Sequence, residues 1–204
     1  MPTSAASDQG DTFIREKRRQ QLIDATIAVI AEDGVARATF VAIAARAGVS
    51  RGVINYHFAD RRALLDAVVA HIYSLGRDMV EQPVEASTTA AEAISAMIVG
   101  SIGFYDAHIR EMTALSSIFR SGDADASTRD ARAEHTTELA KLTAVFLRGQ
   151  ESGEFRAFDT EIMATALRAT LDATIGRIAA GSDAGILARE IDDLFGAATR
   201  SEQQ

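Results

Sequence analysis

The sequence predicts an all-α protein, in which an N-terminal three-helix domain of helix-turn-helix type is followed by a larger helical domain. Apolar residues recur at helical spacing along most of the chain, whereas neither strand-like alternation nor an internal repeat is present. Between residues 39 and 62, two short amphipathic segments flank a glycine-containing turn. We predict a small, polar, disordered tail over residues 1–11, the helix-turn-helix domain over 12–60 and the C-terminal domain over 61–204.

The composition is that of a folded, water-soluble protein. Of the 204 residues, 47% are hydrophobic and 25% are charged. Because the chain has no cysteine, disulfides, thiol catalysis and thiolate metal sites are excluded. No apolar run approaches the roughly 18 residues of a membrane span, and the N-terminus lacks the pattern of a signal peptide. We therefore expect a cytoplasmic protein without a membrane partner.

The net charge of −8 is divided unevenly along the chain. Residues 12–62 carry nine Lys/Arg and five Asp/Glu, a net charge of +4, whereas residues 63–204 carry twelve Lys/Arg and twenty-two Asp/Glu, a net charge of −10. A locally basic surface suffices to attract phosphate groups even when the whole molecule is acidic. The charge distribution supports nucleic-acid binding by the N-terminal part but could also serve solubility alone.

The first helix is predicted over residues 15–33, because Ile23, Ile27 and Ile30 share one face and Gly34 ends the periodic pattern. Four basic residues cluster near its start: Arg15, Lys17, Arg18 and Arg19. They fit a set of phosphate contacts, and they fit a solvated helix face equally well.

The next residues carry the signals of two helices joined by a tight turn. Thr39 is a good N-cap, because its hydroxyl can accept a hydrogen bond from an amide of the first turn. Gly48 can adopt a left-handed conformation without steric cost, and Ser50 is a second N-cap candidate. Ala44, four residues before Gly48, leaves room for two helices to cross. This spacing is typical of a helix-turn-helix, whose second helix enters the major groove of DNA.

The second helix offers side chains that can contact bases. Arg51 can donate to guanine or to phosphate, Asn55 can pair with adenine, and Val53 can contact a thymine methyl group. Gly52 allows the backbone to approach DNA closely. His57 fits a phosphate contact, and it fits an ordinary capping or surface position equally well.

The start of the following helix adds a further candidate. Asp60 is a predicted N-cap, and Arg61 lies in the first turn, where its side chain and the helix amides can reach a phosphate group. The predicted DNA-binding residues are Thr39, Ser50, Arg51, Gly52, Val53, Asn55, Tyr56, His57 and Arg61.

Residues 15–72 resemble the DNA-binding domain of TetR-family regulators. The matching residues are Ala31-Glu32-Asp33-Gly34, Ile43-Ala44, Ala47-Gly48-Val49-Ser50, Gly52, Phe58, Arg61 and Leu64-Leu65. Many family members carry tyrosine at the position of Asn55 and lysine at that of Arg61, and the order Ile54-Asn55-Tyr56-His57-Phe58 is similar to the BetI-like branch. The resemblance implies double-stranded operator DNA, a second copy of the chain and a small-molecule effector as partners. A choline-type effector would need aromatic faces, and a chain with no Trp and three Tyr gives that choice little support.

Further helices are predicted along the C-terminal domain, over residues 61–81, 88–108, 112–119, 128–152, 159–180 and 184–200. Pro83 is expected to end the first of them. Thr88 or Thr89 is a candidate cap for the second, and Asp159 for the fifth.

The last two helices are apolar on more than one side, which favours a four-helix interface between two copies of the chain over a purely intramolecular core. A two-fold dimer would place two recognition helices about 34 Å apart, one turn of DNA. The predicted interface residues are Met163, Leu167, Leu171, Ile175, Leu187, Ile191, Leu194 and Phe195.

The middle helices carry a mixture of flexible, aromatic and hydrogen-bonding side chains, as small-molecule pockets do. Each of these residues could also be an ordinary core residue. The predicted ligand-binding residues are Met97, Phe104, Tyr105, His108, Met112, Phe119, His135 and Phe146.

No pattern of an enzyme is present. The four histidines lack the spacing of metal ligands, and neither a nucleophile elbow nor a phosphate-binding glycine loop occurs. We expect no cofactor, no metal and no catalysis.

Together these patterns predict a ligand-responsive transcriptional regulator, a homodimeric repressor that a small molecule releases from its operator. The helix over 61–81 would move and separate the two DNA-binding domains. One alternative is a helical ligand-binding protein or enzyme whose helix-turn-helix is only structural. Another is a ligand-independent DNA-binding protein with a filled C-terminal domain.

Overall fold

The structure, a computed structural model, describes the backbone of residues 4–121 and 129–201 and the side chains of residues 12–77, 79–121 and 136–201. Within these ranges the chain is helical and has no β-strand, which confirms the all-α prediction. The helices are α1 (Ser4–Asp33), α2 (Phe40–Ala47), α3 (Arg51–His57), α4 (Arg61–Ala86), α5 (Ala90–Ala107), α6 (Ile109–Arg120), α7 (Arg129–Glu151), α8 (Thr160–Ala179) and α9 (Ala184–Thr199). A 3₁₀ turn, Val35–Arg37, precedes α2. In the described part of the chain, no helix is long and apolar enough to cross a bilayer.

Helices α1 to α3 form a small domain around isoleucine side chains. Ile23, Ile27 and Ile30 of α1 are buried, as the sequence predicted, and Ile43 of α2 and Ile54 of α3 belong to the same apolar cluster. Because these side chains come from all three helices, their burial fixes the orientation of α3 relative to α1 and α2.

Helix α1 starts earlier than the sequence indicated. It begins at Ser4, so the predicted disordered tail is wrong for residues 4–11; residues 1–3 lie outside the described residues. The physical reason is that extending an existing helix costs far less than nucleating one. Residues 4–11 contain no proline, and Gly10 alone does not stop a helix that packing has already formed further along.

Helix α4 runs past the proline that was expected to end it. Pro83 lies inside α4, which continues to Ala86. A proline keeps a helical φ and removes only the hydrogen bond to the carbonyl four residues earlier, so packing of the helix can carry it past this position. The hydroxyl of Ser87 donates to the Pro83 carbonyl oxygen at 2.9 Å. The Met79 carbonyl, which proline cannot pair, faces Gly100 of α5, where an added Cβ would lie only 3.0 Å from it.

Helix α4 is shared between the two halves of the molecule. It packs on α1 at one end and on α5, α6 and α7 further along. Leu64, Leu65, Val68 and Ile72 are all buried, in one cluster that continues into the C-terminal helices. The boundary at residue 60/61 stays a prediction, since the apolar core is continuous across it.

Helix α5 lies at the centre of the C-terminal half, with α4, α7, α8 and α9 around it. Several of the predicted N-caps are confirmed. The Thr89 hydroxyl accepts from the amide of Glu92 at 3.1 Å, and Asp159 accepts from the first amides of α8. Asp60 accepts from the amide of Ala63 at 2.8 Å.

Most residues predicted for a dimer interface lie in the core of the monomer. Six of the eight are buried: Leu167, Leu171, Ile175, Leu187, Ile191 and Phe195. The prediction is wrong for these six residues. The apolar face of α8 packs against α5, α6 and α7 of the same chain, and the apolar face of α9 packs against α5. Met163 is half-buried, and Leu194 remains 58% exposed.

A close approach between helices at Gly149 leads to a stability prediction. A Cβ on Gly149 would lie 2.2 Å from Cδ2 of Phe155 and 2.9 Å from Cβ of Ala90. The Phe155 ring is buried against Phe146 and Phe158 and has little room to move. We expect Gly149→Ala to lower the free energy of unfolding by about 1–3 kcal/mol through overpacking. Urea denaturation at one fixed protein concentration measures this.

Gly103→Ala is the matched control. Gly103 is also helical, but no atom of the described residues lies within 4 Å of an added Cβ. The substitution should be neutral or raise the free energy of unfolding by about 0.4–1 kcal/mol. Equal stability of the two variants would contradict the close approach at Gly149.

Candidate nucleic-acid interface and cavity

The turn between α2 and α3 is built by local capping. The Thr39 hydroxyl accepts from the amide of Ala42 at 3.2 Å, as predicted for an N-cap. Gly48 adopts φ 66° and ψ 33°, and the Val49 amide donates to the Ala44 carbonyl at 3.0 Å. Ser50 occupies the N-cap position of α3, but its side chain makes no capping hydrogen bond. The capping role expected of Ser50 is therefore wrong, which leaves an exposed hydroxyl at the start of α3.

Helix α3 presents a polar face to solvent. Arg51, Gly52 and Asn55 are exposed, and the Tyr56 side chain is 69% exposed. Val53 is half-buried, so only part of its side chain remains accessible. A helix that keeps its apolar side inward and hydrogen-bonding groups outward can enter a groove of DNA without rearrangement.

Arginines of α1 lie beside the end of α3. The Arg15 guanidinium lies 5.6 Å from the centroid of the Tyr56 ring, and that of Arg19 lies 5.1 Å from the Phe58 ring. The pKa of His57 is lowered by burial and by the nearby charges of Arg15, Arg18 and Arg19. The basic cluster and the exposed face of α3 therefore form one continuous surface, which we call the α1–α3 surface.

A cavity of about 290 Å³ lies in the C-terminal half, between α4, α5, α6, α7 and α8. Three predicted ligand-binding residues, Phe104, Tyr105 and Met112, line it. A second cavity of about 370 Å³ lies on the other side of Met112 and Leu115 and is lined by the predicted Phe119. The two cavities share Arg168 of α8 as a wall.

Other predicted ligand-binding residues lie elsewhere. Phe146 is fully buried in an aromatic cluster with Phe155 and Phe158, so its prediction is corrected. His108 stacks on Phe104 at a centroid distance of 4.7 Å and does not line either cavity. Met97 packs against the core outside both linings. The side chain of His135 lies outside the described residues.

The sequence interpretation missed most of the polar residues that line the first cavity, although it included Tyr105. Tyr73 of α4 and Arg168 of α8 each have a buried polar atom that makes no hydrogen bond with any residue whose side chain the structure describes, the Tyr73 hydroxyl and Arg168 Nε. Arg168 Nε also lies 3.0 Å from Asp172 Oδ1, close enough for an ion pair but poorly aligned for a hydrogen bond. A signal was available for Arg168, because it interrupts the apolar pattern between Leu167 and Leu171.

Residues 22–68 match the family model for bacterial regulatory proteins of the tetR family. The N-terminal domain is therefore similar to the DNA-binding domain of the TetR family. Two curated relatives are the HTH-type transcriptional regulators BetI of Serratia proteamaculans, 40% identical over 86 residues, and of Proteus mirabilis, 52% identical over 60 residues. These matches cover 41% and 29% of this chain and 43% and 30% of the relatives, so the chain matches less than half of the length of either protein.

Solved structures extend the likeness in fold beyond residues 22–68. FadR from Bacillus subtilis in complex with stearoyl-CoA superimposes with a TM-score of 0.76 at 21% identity, over 87% of this chain and 97% of that one. AibR in complex with isovaleryl coenzyme A and operator DNA gives a TM-score of 0.76 at 14% identity, with the same coverage. At these identities the comparison shows a shared fold of an N-terminal helix-turn-helix and a C-terminal helical domain. The relatives are named as transcriptional regulators, not as enzymes.

The Arg61 side chain donates hydrogen bonds to backbone carbonyls of the N-terminal domain instead of facing outward. Its Nε donates to the Ala38 carbonyl at 3.1 Å, and one terminal nitrogen donates to the Val35 carbonyl at 2.5 Å. The guanidinium therefore joins the start of α4 to the 3₁₀ turn ahead of α2. The phosphate contact predicted for this side chain is not the contact that the structure shows, although the amides at the start of α4 stay candidates.

We expect Arg61→Gln to lower the free energy of unfolding by about 1–3 kcal/mol, because two hydrogen bonds from a charged donor are lost. Arg62→Gln is the control, since the neighbouring Arg62 is exposed and should tolerate the change. Thermal or urea unfolding measures the difference. Two results together would support the phosphate contact instead. Stability would be unchanged, and the slope of log affinity for duplex DNA against log salt concentration would decrease in magnitude by about 0.9.

Proposed function

We propose that this protein is a homodimeric transcriptional repressor that binds operator DNA through α3 and is released by a small-molecule effector. The observation that carries the proposal is the α1–α3 surface, in which exposed Arg51, Asn55 and Tyr56 lie on a TetR-type recognition helix beside the arginines of α1. Such a repressor acts in the cytoplasm, where chromosomal DNA lies.

Different residues of the α1–α3 surface make different contacts with DNA. Arg51 donates to guanine and Asn55 forms a bidentate pair with adenine, so these side chains specify bases. Gly52 allows the helix to approach the groove floor, and Tyr56 adds an amphipathic side chain at the rim. Arg15 and its neighbours contact phosphate groups, which fixes the position of the domain without selecting a sequence.

A dimer doubles the number of bases contacted. The exposed apolar side chains of the last two helices are Ile162, Ile186 and Leu194, with exposed fractions of 69%, 51% and 58%. Exposed alanines of α8, at positions 166 and 169, lie one and two turns after Ile162 and permit close helix approach. This face, and not the buried stripe predicted from the sequence, forms the proposed interface.

The effector acts through α4, which begins at the DNA-binding domain and lines the first cavity with Tyr73, Gly76 and Val80. A ligand that binds better when α4 is displaced shifts the population toward a dimer with wrongly spaced α3 helices. FadR and AibR, which share the fold, are known with acyl-coenzyme A ligands, and AibR also with operator DNA. They support the combination of an effector cavity and a DNA-binding surface in one chain.

Selection from a random duplex library, followed by fluorescence anisotropy on the enriched duplex, tests DNA binding. We expect a variant with Arg51→Ala, Asn55→Ala and Tyr56→Ala to lose about 10³-fold or more in specific affinity, down to the level of random duplex. The fold should be unaffected, because all three side chains are exposed. Arg148→Ala, which removes an exposed charge from α7, is the control and should bind as the wild type does. Enrichment of no duplex at all would refute the proposal.

The interface is tested by a double variant, Ile162→Asp with Leu194→Asp. We expect sedimentation analysis to give a monomer, and operator affinity to fall about 100-fold or more because the two half-sites are no longer bound together. Leu147→Asp is the matched control, since Leu147 of α7 is also an exposed apolar side chain. A double variant that stays dimeric would place the interface on another face.

A further inference from the structure

We propose that the first cavity binds a small carboxylate with an apolar tail, the carboxylate lying against Arg168 and Tyr73. This inference names the chemical class of the effector and, in that respect, rests on the proposed function. The cavity, its polar groups and their missing hydrogen bonds stand independently of DNA binding.

The two lining atoms that make no hydrogen bond with the described residues, Arg168 Nε and the Tyr73 hydroxyl, can both donate one. Arg168 Nε carries a proton and cannot accept a hydrogen bond, and its side chain is only 17% exposed. Burial raises the pKa of Tyr73 to about 12, so its hydroxyl keeps its proton at neutral pH. Tyr105, which also lines the cavity, has its pKa raised by burial too. The buried Tyr73 hydroxyl has no acceptor among the described residues, which is unfavourable, and the guanidinium of Arg168 carries further N–H groups besides the one beside Asp172, so the cavity favours a ligand that brings acceptor oxygens.

The carboxylates near the cavity already have cationic partners. Asp172 lies beside Arg168 at 3.0 Å. Glu138 is bound by Lys141 at 3.2 Å, and Glu81 is bound by the same ammonium group. An ammonium ligand would therefore find the acidic groups occupied and would face Arg168 directly. A carboxylate can instead pair with the guanidinium through its two oxygens.

One part of the cavity wall is apolar and can contact a hydrocarbon tail, whereas Arg77, Glu81, Ser101, Thr137, Glu138 and Lys141 line the rest. Ile72, Val80, Phe104, Met112 and Leu115 surround the space away from Arg168. At about 30 Å³ for a group the size of water, a cavity of about 290 Å³ holds roughly ten non-hydrogen atoms. Octanoate has this size and carries a flexible apolar tail, and 4-phenylbutyrate carries an aromatic tail of similar volume.

Isothermal titration calorimetry on the full-length protein without DNA tests the proposal. The ligands are octanoate, 4-phenylbutyrate, and the neutral and cationic counterparts octanamide and octylamine. We expect at least one carboxylate to bind about 10- to 100-fold more tightly than octanamide, because a charged pair is exchanged for a neutral one. Octylamine should show no binding.

Substitutions of Arg168 and Tyr73 test where the carboxylate group of the ligand binds. Arg168→Gln should weaken carboxylate binding about 10- to 100-fold, and Tyr73→Phe, which keeps the ring, about 5- to 10-fold. Neither should change the affinity for octanamide to the same extent. Arg148→Gln removes an exposed arginine of α7 and should leave the affinity unchanged. If Arg168→Gln fails to fold, the ligand series on the wild type and Tyr73→Phe still decide the question.

Several outcomes would overturn the proposal. They are equal binding of octanamide and octanoate, tighter binding of octylamine, tighter binding of octanoyl-CoA than of octanoate, and no binding of either carboxylate up to about 1 mM. Carboxylate binding by a protein that selects no duplex would refute the repressor function alone. Selection of a duplex by a protein that binds no carboxylate would refute this inference alone.

Discussion

Helix α4 is buried on several sides, and both halves of the molecule pack against it. Leu64, Leu65 and Val68 are almost fully removed from solvent, and α1, α5, α6 and α7 all contact this helix. A helix enclosed in this way cannot shift without repacking both halves of the molecule, because protein cores are densely packed. The same enclosure makes α4 the direct physical connection between the α1–α3 surface and the first cavity.

The helix-turn-helix could be predicted from the sequence because its signals are local. Thr39 caps the helix that directly follows it, and Gly48 itself adopts the left-handed conformation that turns the chain after this helix. Ile43 and Ile54 are buried as their spacing indicated, since both helices are short and have one apolar side. Arg61 illustrates the limit of such reasoning. Its carbonyl acceptors lie 23 and 26 residues earlier in the chain, and no pattern around Arg61 points to them.

In the C-terminal half, the sequence predicts where the helices lie along the chain but not which face of each helix packs in the core. Helices α8 and α9 are apolar on more than one side, and periodicity alone cannot decide which side meets the core of the same chain. Leu167 and Leu171 turned out to be core residues, whereas Ile162 and Ile186 remained exposed. The cavity was only partly predicted for a similar reason. The predicted lining came from the middle helices alone, whereas the polar side chains of Tyr73 and Arg168 come from α4 and α8.

Arg168 and Ala169 are consecutive residues of α8, yet one lines both cavities and the other lies on the exposed side of the same helix. In the proposed dimer, only the width of α8 therefore separates a bound effector from the partner subunit. A rotation of α8 by a fraction of a turn on ligand entry would alter the subunit contact at once, without any relay through intervening elements. Occupancy of one subunit would then change the affinity of the other, and effector binding would be cooperative across the two-fold axis.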